Sequence, residues 1–198
     1  MGEAGPNSIT FFVPCLNEQE NVGRAIDNII EVMKNLRHPY EILVIDDASV
    51  DGTVAEVLGR RERYPDARIE LIKNPFCRGI GRNYFIAAQR GRGEYFMLVN
   101  GDAAEPVESI RTILSHMGEA DAVVPYFGLN DTRTLPRRLL SFAFTFLVNA
   151  ISGHRLKYYN GPVLHKDGKR SHVVRRNRGL RLSGGATLQA LGRRHFCG

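Results

Sequence analysis

Short runs of β-forming residues alternate with helix-forming stretches through the first 125 residues, and this alternation limits the fold more than any other feature. The β-forming runs are residues 9–13, 41–45, 69–72, 95–99 and 121–124. A βαβαβαβαβ order favours a mostly parallel sheet with right-handed crossovers and helices on both faces. We therefore predict an α/β fold with three Rossmann-like layers, α/β/α.

Polar residues open the first two predicted helices. Asn17 with Glu20, and Thr53 with Glu56, have the spacing of a capping box. Apolar side chains follow each pair at helical intervals, and a proline lies just beyond each predicted end. Both helices are predicted to begin shortly after a strand.

Two adjacent carboxylates, Asp46 and Asp47, come directly after the second β-forming run. In open α/β sheets, ligands bind in the crevice beyond the carboxyl ends of the strands. The two side chains are therefore candidate ligand-binding groups. The alternative is that they only cap the turn that follows.

A glycine-containing loop with two arginines follows the third run. Arg78, Gly79 and Arg82 stand where this loop becomes a helix. Free backbone N–H groups and the helix dipole favour a phosphate at such a position. The loop is therefore a candidate anion site.

An apolar stretch, residues 139–151, is interrupted only by Ser141, Thr145 and Asn149, which form one polar stripe along a helix. It is too short to cross a bilayer, which takes about 20 residues. Such a helix is either buried in the core or lies in a membrane interface. Arg133 and Arg137 before it, and a basic segment after it, favour the interface.

Charge is unevenly distributed along the chain. Residues 1–153 carry 16 Lys and Arg against 20 Asp and Glu, whereas residues 154–198 carry 11 against 1. The resulting net charges are −4 and +10, and a basic tail of this kind attracts an anionic membrane surface. Nucleic acid is a weaker choice because no nucleic-acid-binding motif is present. The alternative is a solvated tail without a partner.

Taken together and in order, the motifs at the strand ends resemble those of the family 2 glycosyltransferases of GT-A fold. The residues that carry the resemblance are VPCLNE at 13–18, VIDDAS at 44–49 with DGT at 51–53, Asn74, Gly79, GEY at 93–95 and NGD at 100–102. The resemblance extends from residue 9 to about residue 165. Residues 133–137, 141–149, 153 and 158–161 are similar to the dolichyl-phosphate mannose synthase branch, whose members move a sugar from a nucleotide sugar to a polyprenyl phosphate.

The resemblance implies a role for each matching residue. Pro14, Asn17 and Glu18 would lie by the nucleoside, and Asp46 and Asp47 would accept hydrogen bonds from the base or ribose. The diphosphate would be bound by Arg78, Gly79, Arg82, Asn100 and Gly101, and through a divalent metal by the catalytic Asp102. Arg133 and Arg137 would hold the acceptor phosphate.

One residue departs from the family pattern. The family has Asp-x-Asp where this chain has Asn100-Gly101-Asp102. An Asn carbonyl oxygen still ligates Mg²⁺ or Mn²⁺, although less strongly than a carboxylate does. We therefore expect a metal on Asp102 and Asn100, bound more weakly than in the family pattern.

The predicted function is that of an inverting glycosyltransferase that moves a hexosyl group of the GDP-mannose or UDP-glucose type to a polyprenyl or dolichyl phosphate. Residues 1–165 would form the catalytic domain and residues 166–198 a basic tail. The first residues, MGEAGPNS, have no signal-peptide pattern, which predicts a cytoplasmic protein, peripheral on the cytoplasmic membrane face.

Two other functions remain open at this stage. One is transfer to a soluble saccharide or another small acceptor. The other is a non-catalytic nucleotide-sugar binding module, suggested by Asn100 in place of an acidic residue. A dinucleotide-binding domain is disfavoured because no Gly-x-Gly-x-x-Gly follows the first β-forming run.

Overall fold

A computed structural model describes residues 7–120, 122–125, 134–152, 162–166, 180–182 and 186–188. The helices and strands of these residues occur in the order β1 (Ile9–Cys15), α1 (Val22–Leu36), β2 (Tyr40–Asp46), α2 (Thr53–Arg63), β3 (Arg68–Lys73), α3 (Ile80–Arg90), β4 (Tyr95–Leu98), α4 (Val107–Ser115), β5 (Ala122–Val123), α5 (Leu135–Ser152), β6 (Leu164–Lys166), β7 (Leu180–Leu182) and β8 (Ala186–Leu188).

The main sheet has six strands in the order β3-β2-β1-β4-β6-β5. Strands β1 to β4 are mutually parallel, and β6 pairs antiparallel with both β4 and β5. The mostly parallel sheet is therefore confirmed. The sequence did not indicate β6, because three residues are too few to show a period of two. This short strand separates the fifth β-forming run from β4.

Alternate side chains of the central strands pack on opposite faces of the sheet. Phe11 and Val13 join the larger cluster with residues of α1, α2 and α4. Phe12 and Ile45 join a second cluster with Ala87 of α3. Helices thus cover both faces, which confirms the three-layer α/β/α fold.

Helix α5 exposes its apolar side chains. Leu139, Phe142 and Phe146 are 71%, 69% and 67% exposed, whereas Ser141 and Thr145 are half-buried. Residues 139–151 had two interpretations, a core helix or an interfacial helix. The core interpretation is wrong for these apolar residues. Within the part of the chain that the structure describes, no helix has the length and apolarity needed to cross a membrane.

Candidate functional site

An open cleft of about 260 Å³ lies at the carboxyl ends of the central strands. Because β1 lies between β2 and β4, the loops that follow these three strands meet at one edge of the sheet. The cleft is lined by Pro14, Cys15, Leu16, Glu18, Asp47, Cys77, Gly79, Ile80, Asn83, Asn100, Gly101 and Asp102. This is where an open α/β sheet binds its ligands. Ligand sites for drug-sized molecules measure roughly 300–1,000 Å³, so the cleft holds part of such a ligand.

Hydrogen bonds tie the loop after β1 to the loop after β2. The Asn17 N–H donates to Ser49 Oγ at 2.9 Å, and Asn17 Oδ1 accepts from the Val50 N–H at 2.9 Å. The Glu18 N–H donates to Thr53 Oγ1 at 2.8 Å. These contacts place Glu18 at the cleft, whereas Asn17 is exposed and lies outside the cleft lining.

The two predicted capping boxes are wrong, each for its own reason. Helix α1 begins at Val22, well beyond Asn17, whose side chain is already used between the loops. Thr53 is the first residue of α2 rather than its cap. Its N–H and hydroxyl both donate to Asp51 Oδ1, so Asp51 serves the start of this helix.

Asp47 binds the loop between β3 and α3 to the end of β2. Its Oδ1 accepts from Asn74 Nδ2 and from the Arg78 N–H, each at 2.8 Å. Its Oδ2 accepts from the Gly79 N–H at 2.8 Å, and the Cys77 sulfur lies 3.2 Å from the same oxygen. Burial raises the pKa of Asp47, but these hydrogen bonds outweigh it and hold the pKa below its usual value.

Asp46 occupies a different position from Asp47. It is buried and does not belong to the cleft lining. Its Oδ2 accepts from the Ser49 N–H at 3.3 Å, while Oδ1 is buried without a hydrogen-bond partner among the described residues. Of the two adjacent carboxylates, Asp47 is the one at the cleft.

Asp47 uses part of the hydrogen-bonding capacity near the start of α3. The N–H groups of Arg78 and Gly79 both donate to Asp47, so they are already engaged. The Arg78 guanidinium lies over the Phe76 ring, 5.1 Å from its centroid. Arg82 is exposed on α3, and neither arginine belongs to the cleft lining. Gly79 has a φ of +80°, a conformation that glycine adopts without strain.

Buried asparagines support the same loop. Asn74 Nδ2 also donates to Asn83 Oδ1 at 2.8 Å, and both side chains are buried. Asn83 lines the cleft but was not among the residues selected from the sequence. An asparagine on the inner side of a predicted amphipathic helix is the signal that would have identified it.

The loop after β4 approaches the end of β1 closely. The Gly101 N–H donates to the Pro14 carbonyl at 3.1 Å. A Cβ atom at Gly101 would lie 2.6 Å from that carbonyl oxygen, so only glycine fits without a shift of the backbone. The next residue, Asp102, is exposed in the cleft, and its Oδ1 accepts from the Ala104 N–H at 3.0 Å.

Glu105 lies behind this loop and was not predicted. It is buried, and it accepts from the side chain of Asn100 at 2.6 Å and from the Asn100 N–H at 3.1 Å. Burial raises the pKa of Glu105 above its usual value, although the hydrogen bonds from Asn100 oppose the shift. The sequence signal was a lone acidic residue directly before Pro106, at the start of α4.

The residues expected to bind the acceptor are only partly described. Arg133 lies outside the described residues, and Arg137 lies in α5, where the structure describes its backbone. Among the described residues, no three His, Cys, Asp or Glu side chains are grouped so as to hold a metal ion.

The three-layer fold and the cleft at its strand ends are those expected of a GT-A domain, and comparison with protein families gives the same result. The model of the family described as "Glycosyl transferase family 2" matches residues 10–170. The chain therefore belongs to glycosyl transferase family 2, which confirms the resemblance seen in the motifs.

Two curated relatives illustrate the similarity. A dolichyl-phosphate beta-glucosyltransferase of Dictyostelium discoideum is 34% identical over 105 residues, which are 48% of this chain and 31% of the relative. An undecaprenyl-phosphate 4-deoxy-4-formamido-L-arabinose transferase of Pectobacterium carotovorum is 24% identical over 169 residues, 84% of this chain and 50% of the relative. The chain thus spans half or less of the length of these relatives.

A solved structure shares the fold. A mannosyltransferase from Pyrobaculum calidifontis, in complex with GDP-Man and Mn²⁺, superposes with a TM-score of 0.61 at 20% identity. The match covers 84% of this chain and 46% of that one. At this identity the similarity establishes the GT-A fold of the chain.

Proposed function

We propose that this chain is an inverting glycosyltransferase that moves a hexosyl group from a nucleotide sugar to a polyprenyl phosphate. The observation that carries the proposal is that Asp47 and Asp102, from the ends of β2 and β4, line one cleft. Residues 1–165 would be the catalytic domain and residues 166–198 a basic tail. The lipid-phosphate acceptors in the names of the two curated relatives support this acceptor class.

The donor would bind along the cleft lining. Glu18 offers a carboxylate to the base or ribose, beside Pro14, while Asp47 fixes the loop before α3 at the edge of the donor site. Gly101 leaves room at the loop after β4. Asn17 and Asp46 lie outside the lining, so we assign them an indirect role in shaping the two loops that carry Glu18 and Asp47. Arg78 and Arg82 would contribute positive charge near the diphosphate rather than direct contacts from the cleft wall.

Asp102 and Asn100 are the residues that would hold Mg²⁺ or Mn²⁺. Their carboxylate and amide oxygens are hard ligands of the kind these ions prefer, and such ions commonly complete their coordination with substrate phosphates. The donor set therefore fits a divalent ion bound together with a diphosphate. When bound, the ion would stabilise the negative charge of the departing nucleoside diphosphate.

The acceptor would be a phosphate rather than a hydroxyl. A hydroxyl nucleophile requires a general base near the attacked carbon, whereas a phosphate is already anionic at neutral pH. Arg133 and Arg137 would position it, because bidentate arginine contacts to phosphate are strong and oriented. The acceptor oxygen would attack the anomeric carbon as the bond to the nucleoside diphosphate breaks, which inverts the configuration.

Helix α5 would bring the domain to the membrane that contains such an acceptor. Its exposed Leu139, Phe142 and Phe146 form an apolar surface, and its half-buried polar stripe faces the opposite side. A helix of this kind inserts its apolar face into the boundary between headgroups and acyl chains. The basic residues 154–198 would add attraction to anionic lipids. We propose a peripheral position on the cytoplasmic face of the membrane.

The direct test is a transfer assay with radiolabelled GDP-mannose and UDP-glucose. Each donor is incubated with the full chain, Mn²⁺ and either a polyprenyl phosphate in detergent or a panel of soluble saccharides. The proposal predicts product only with the lipid phosphate, and none with Asp102→Asn. Product only with a soluble saccharide would assign a different acceptor class, and nucleotide binding without turnover would indicate a non-catalytic module.

A further inference from the structure

Asn100 occupies the position at which the family pattern has an acidic residue, and it donates two hydrogen bonds to the buried Glu105. Asn100 Nδ2 donates to Glu105 Oε1 at 2.6 Å, and the Asn100 N–H donates to Glu105 Oε2 at 3.1 Å. Glu105 is only 8% exposed and lies outside the cleft lining, to which Asn100 belongs. Both carboxylate oxygens of Glu105 are thus used by a single residue.

This pairing determines which end of the Asn100 amide faces the cleft. A carboxylate only accepts hydrogen bonds, and an asparagine amide donates only from its NH₂ end. The NH₂ group must therefore face Glu105. The carbonyl oxygen, at the other end of the planar amide, is left for the cleft that Asn100 shares with Asp102.

We propose that Glu105 is a positioning residue for a metal–diphosphate site, because it holds the Asn100 amide with its oxygen turned toward the cleft. The inference rests on the proposed function, which places a divalent ion and a diphosphate at Asn100 and Asp102. An amide oxygen is an acceptable ligand for such ions when it is oriented. Glu105 would thereby compensate for the acid that is missing at position 100.

The proposal makes an unusual prediction for Asn100→Asp, which restores the family's Asp-x-Asp pattern. The new carboxylate would meet the Glu105 carboxylate at hydrogen-bond distance, and two like charges so close are unfavourable. This variant should therefore bind a metal–nucleotide complex more weakly than the wild type, although it carries the better metal ligand.

Glu105→Gln alone should also be harmful. Glutamine offers one acceptor and one donor where Asn100 presents two donors, so one N–H loses its partner and the Asn100 amide is free to turn. The double variant Asn100→Asp/Glu105→Gln restores both hydrogen bonds between residues 100 and 105, with donor and acceptor exchanged in the side-chain bond. The Gln oxygen accepts the backbone N–H of residue 100, and the Gln NH₂ donates to the new carboxylate, whose second oxygen faces the cleft.

The experiment is calorimetric titration of UDP and GDP into the wild type, the two single variants and the double variant, each with EDTA and with Mn²⁺. The measured quantity is the gain in nucleotide affinity that Mn²⁺ produces. We expect each single substitution to lower this gain about tenfold or more, and the double variant to return to within about threefold of the wild type. The nucleotide affinity of each protein in EDTA is its own reference for this gain, and thermal unfolding checks that each is folded.

The inference is overturned if Asn100→Asp shows the same or a larger Mn²⁺-dependent gain, or if the double variant is no better than Asn100→Asp. The inference is also overturned if the substitutions at positions 100 and 105 affect each other's melting temperature but all four proteins show the same Mn²⁺-dependent gain in nucleotide affinity. Glu105 would then only stabilise the fold. Failure of the proposed function is distinct, because the wild type itself would then show no Mn²⁺-dependent gain.

A measurement on the wild type covers the case in which a single variant does not fold. The Cγ resonance of Asn100 is followed by NMR in asparagine-labelled protein as Mg²⁺ and UDP are added. The inference predicts that Cγ shifts only when both are present, while the NH₂ signals remain those of a group bound to Glu105. A Cγ that does not respond, or NH₂ protons that exchange with solvent as fast as those of a free amide once the ion is bound, contradict it.

Discussion

The Asp47 carboxylate at the end of β2 accepts the Gly79 N–H, 32 residues later in the chain, at 2.8 Å. This bond joins the start of α3 to the strand end and, with the bond from the Arg78 N–H, uses two of the backbone donors near the start of that helix. Asp47 thus shapes the cleft wall as well as lining it.

Replacing Asp47 with Asn should destabilise the protein. The new NH₂ group would face a backbone N–H, so one buried donor would lose its acceptor, at a cost of about 1–3 kcal/mol in the free energy of unfolding. Chemical denaturation measures the change. Asp66→Asn, at an exposed loop position, is the matched control and should change the free energy of unfolding little. Equal stability of the two variants would contradict the role of Asp47.

The contribution of Asp47 should depend on pH. Its pKa in the folded protein is lowered, so its stabilising effect is fully present above the unfolded value of about 3.9 and is lost as pH falls toward the folded value. The difference in melting temperature between the wild type and Asp47→Asn should be constant from about pH 7 to 5 and should shrink below about pH 4. A difference that grows on acidification would show that the sign is wrong.

Gly101→Ala should weaken both the fold and the cleft. The added Cβ would lie 2.6 Å from the Pro14 carbonyl oxygen, and backbone at both positions would have to move, costing about 1–3 kcal/mol. Gly59→Ala is the control, since a Cβ at that exposed position of α2 meets nothing within 4 Å. It should stabilise the helix by about 0.5–1 kcal/mol. Equal melting temperatures for the two variants would refute the close approach.

The exposed face of α5 should determine binding to lipid. Phe142→Gln/Phe146→Gln removes two exposed rings, each worth about 1.5–3 kcal/mol when buried, so partitioning into vesicles of anionic phospholipid should fall about tenfold or more. Val50→Gln removes an exposed apolar side chain on the β2–α2 loop and should leave partitioning unchanged. Vesicle flotation measures both, and an equal effect of the two changes would argue against docking through α5.

The fold was largely predictable because strand and helix periods alternate clearly through residue 115. Composition does not predict which of the two carboxylates, Asp46 or Asp47, faces the cleft. The alternation of side chains along β2 does, because it places them on opposite faces of the sheet. Asp46 continues the face of Ile42 and Val44, which packs on α1. Asp47 continues the face of Leu43 and Ile45, toward α3 and the loop before it.

Other features of the site and the sheet could not be predicted because they depend on contacts that a local sequence pattern does not show. Asn17 has the spacing of a helix cap but bonds to Val50, 33 residues away, which local pattern cannot reveal. Glu105 and Asn100 are only five residues apart, but their bond requires the tight turn at Ala103, whose φ is +54°. Strand β6 was missed because its three residues show no period of their own and only their pairing with β4 and β5 makes them a strand.

The most direct test of the account is the Mn²⁺-dependent affinity of the wild type and Asp102→Asn for UDP and GDP, measured by calorimetry. We predict that the wild type binds at least one of the two nucleotides more tightly with Mn²⁺ than with EDTA, and that Asp102→Asn loses this gain without a change in melting temperature. A wild type that binds neither nucleotide, or an Asp102→Asn variant with the full Mn²⁺-dependent gain, would contradict a donor site between Asp47 and Asp102.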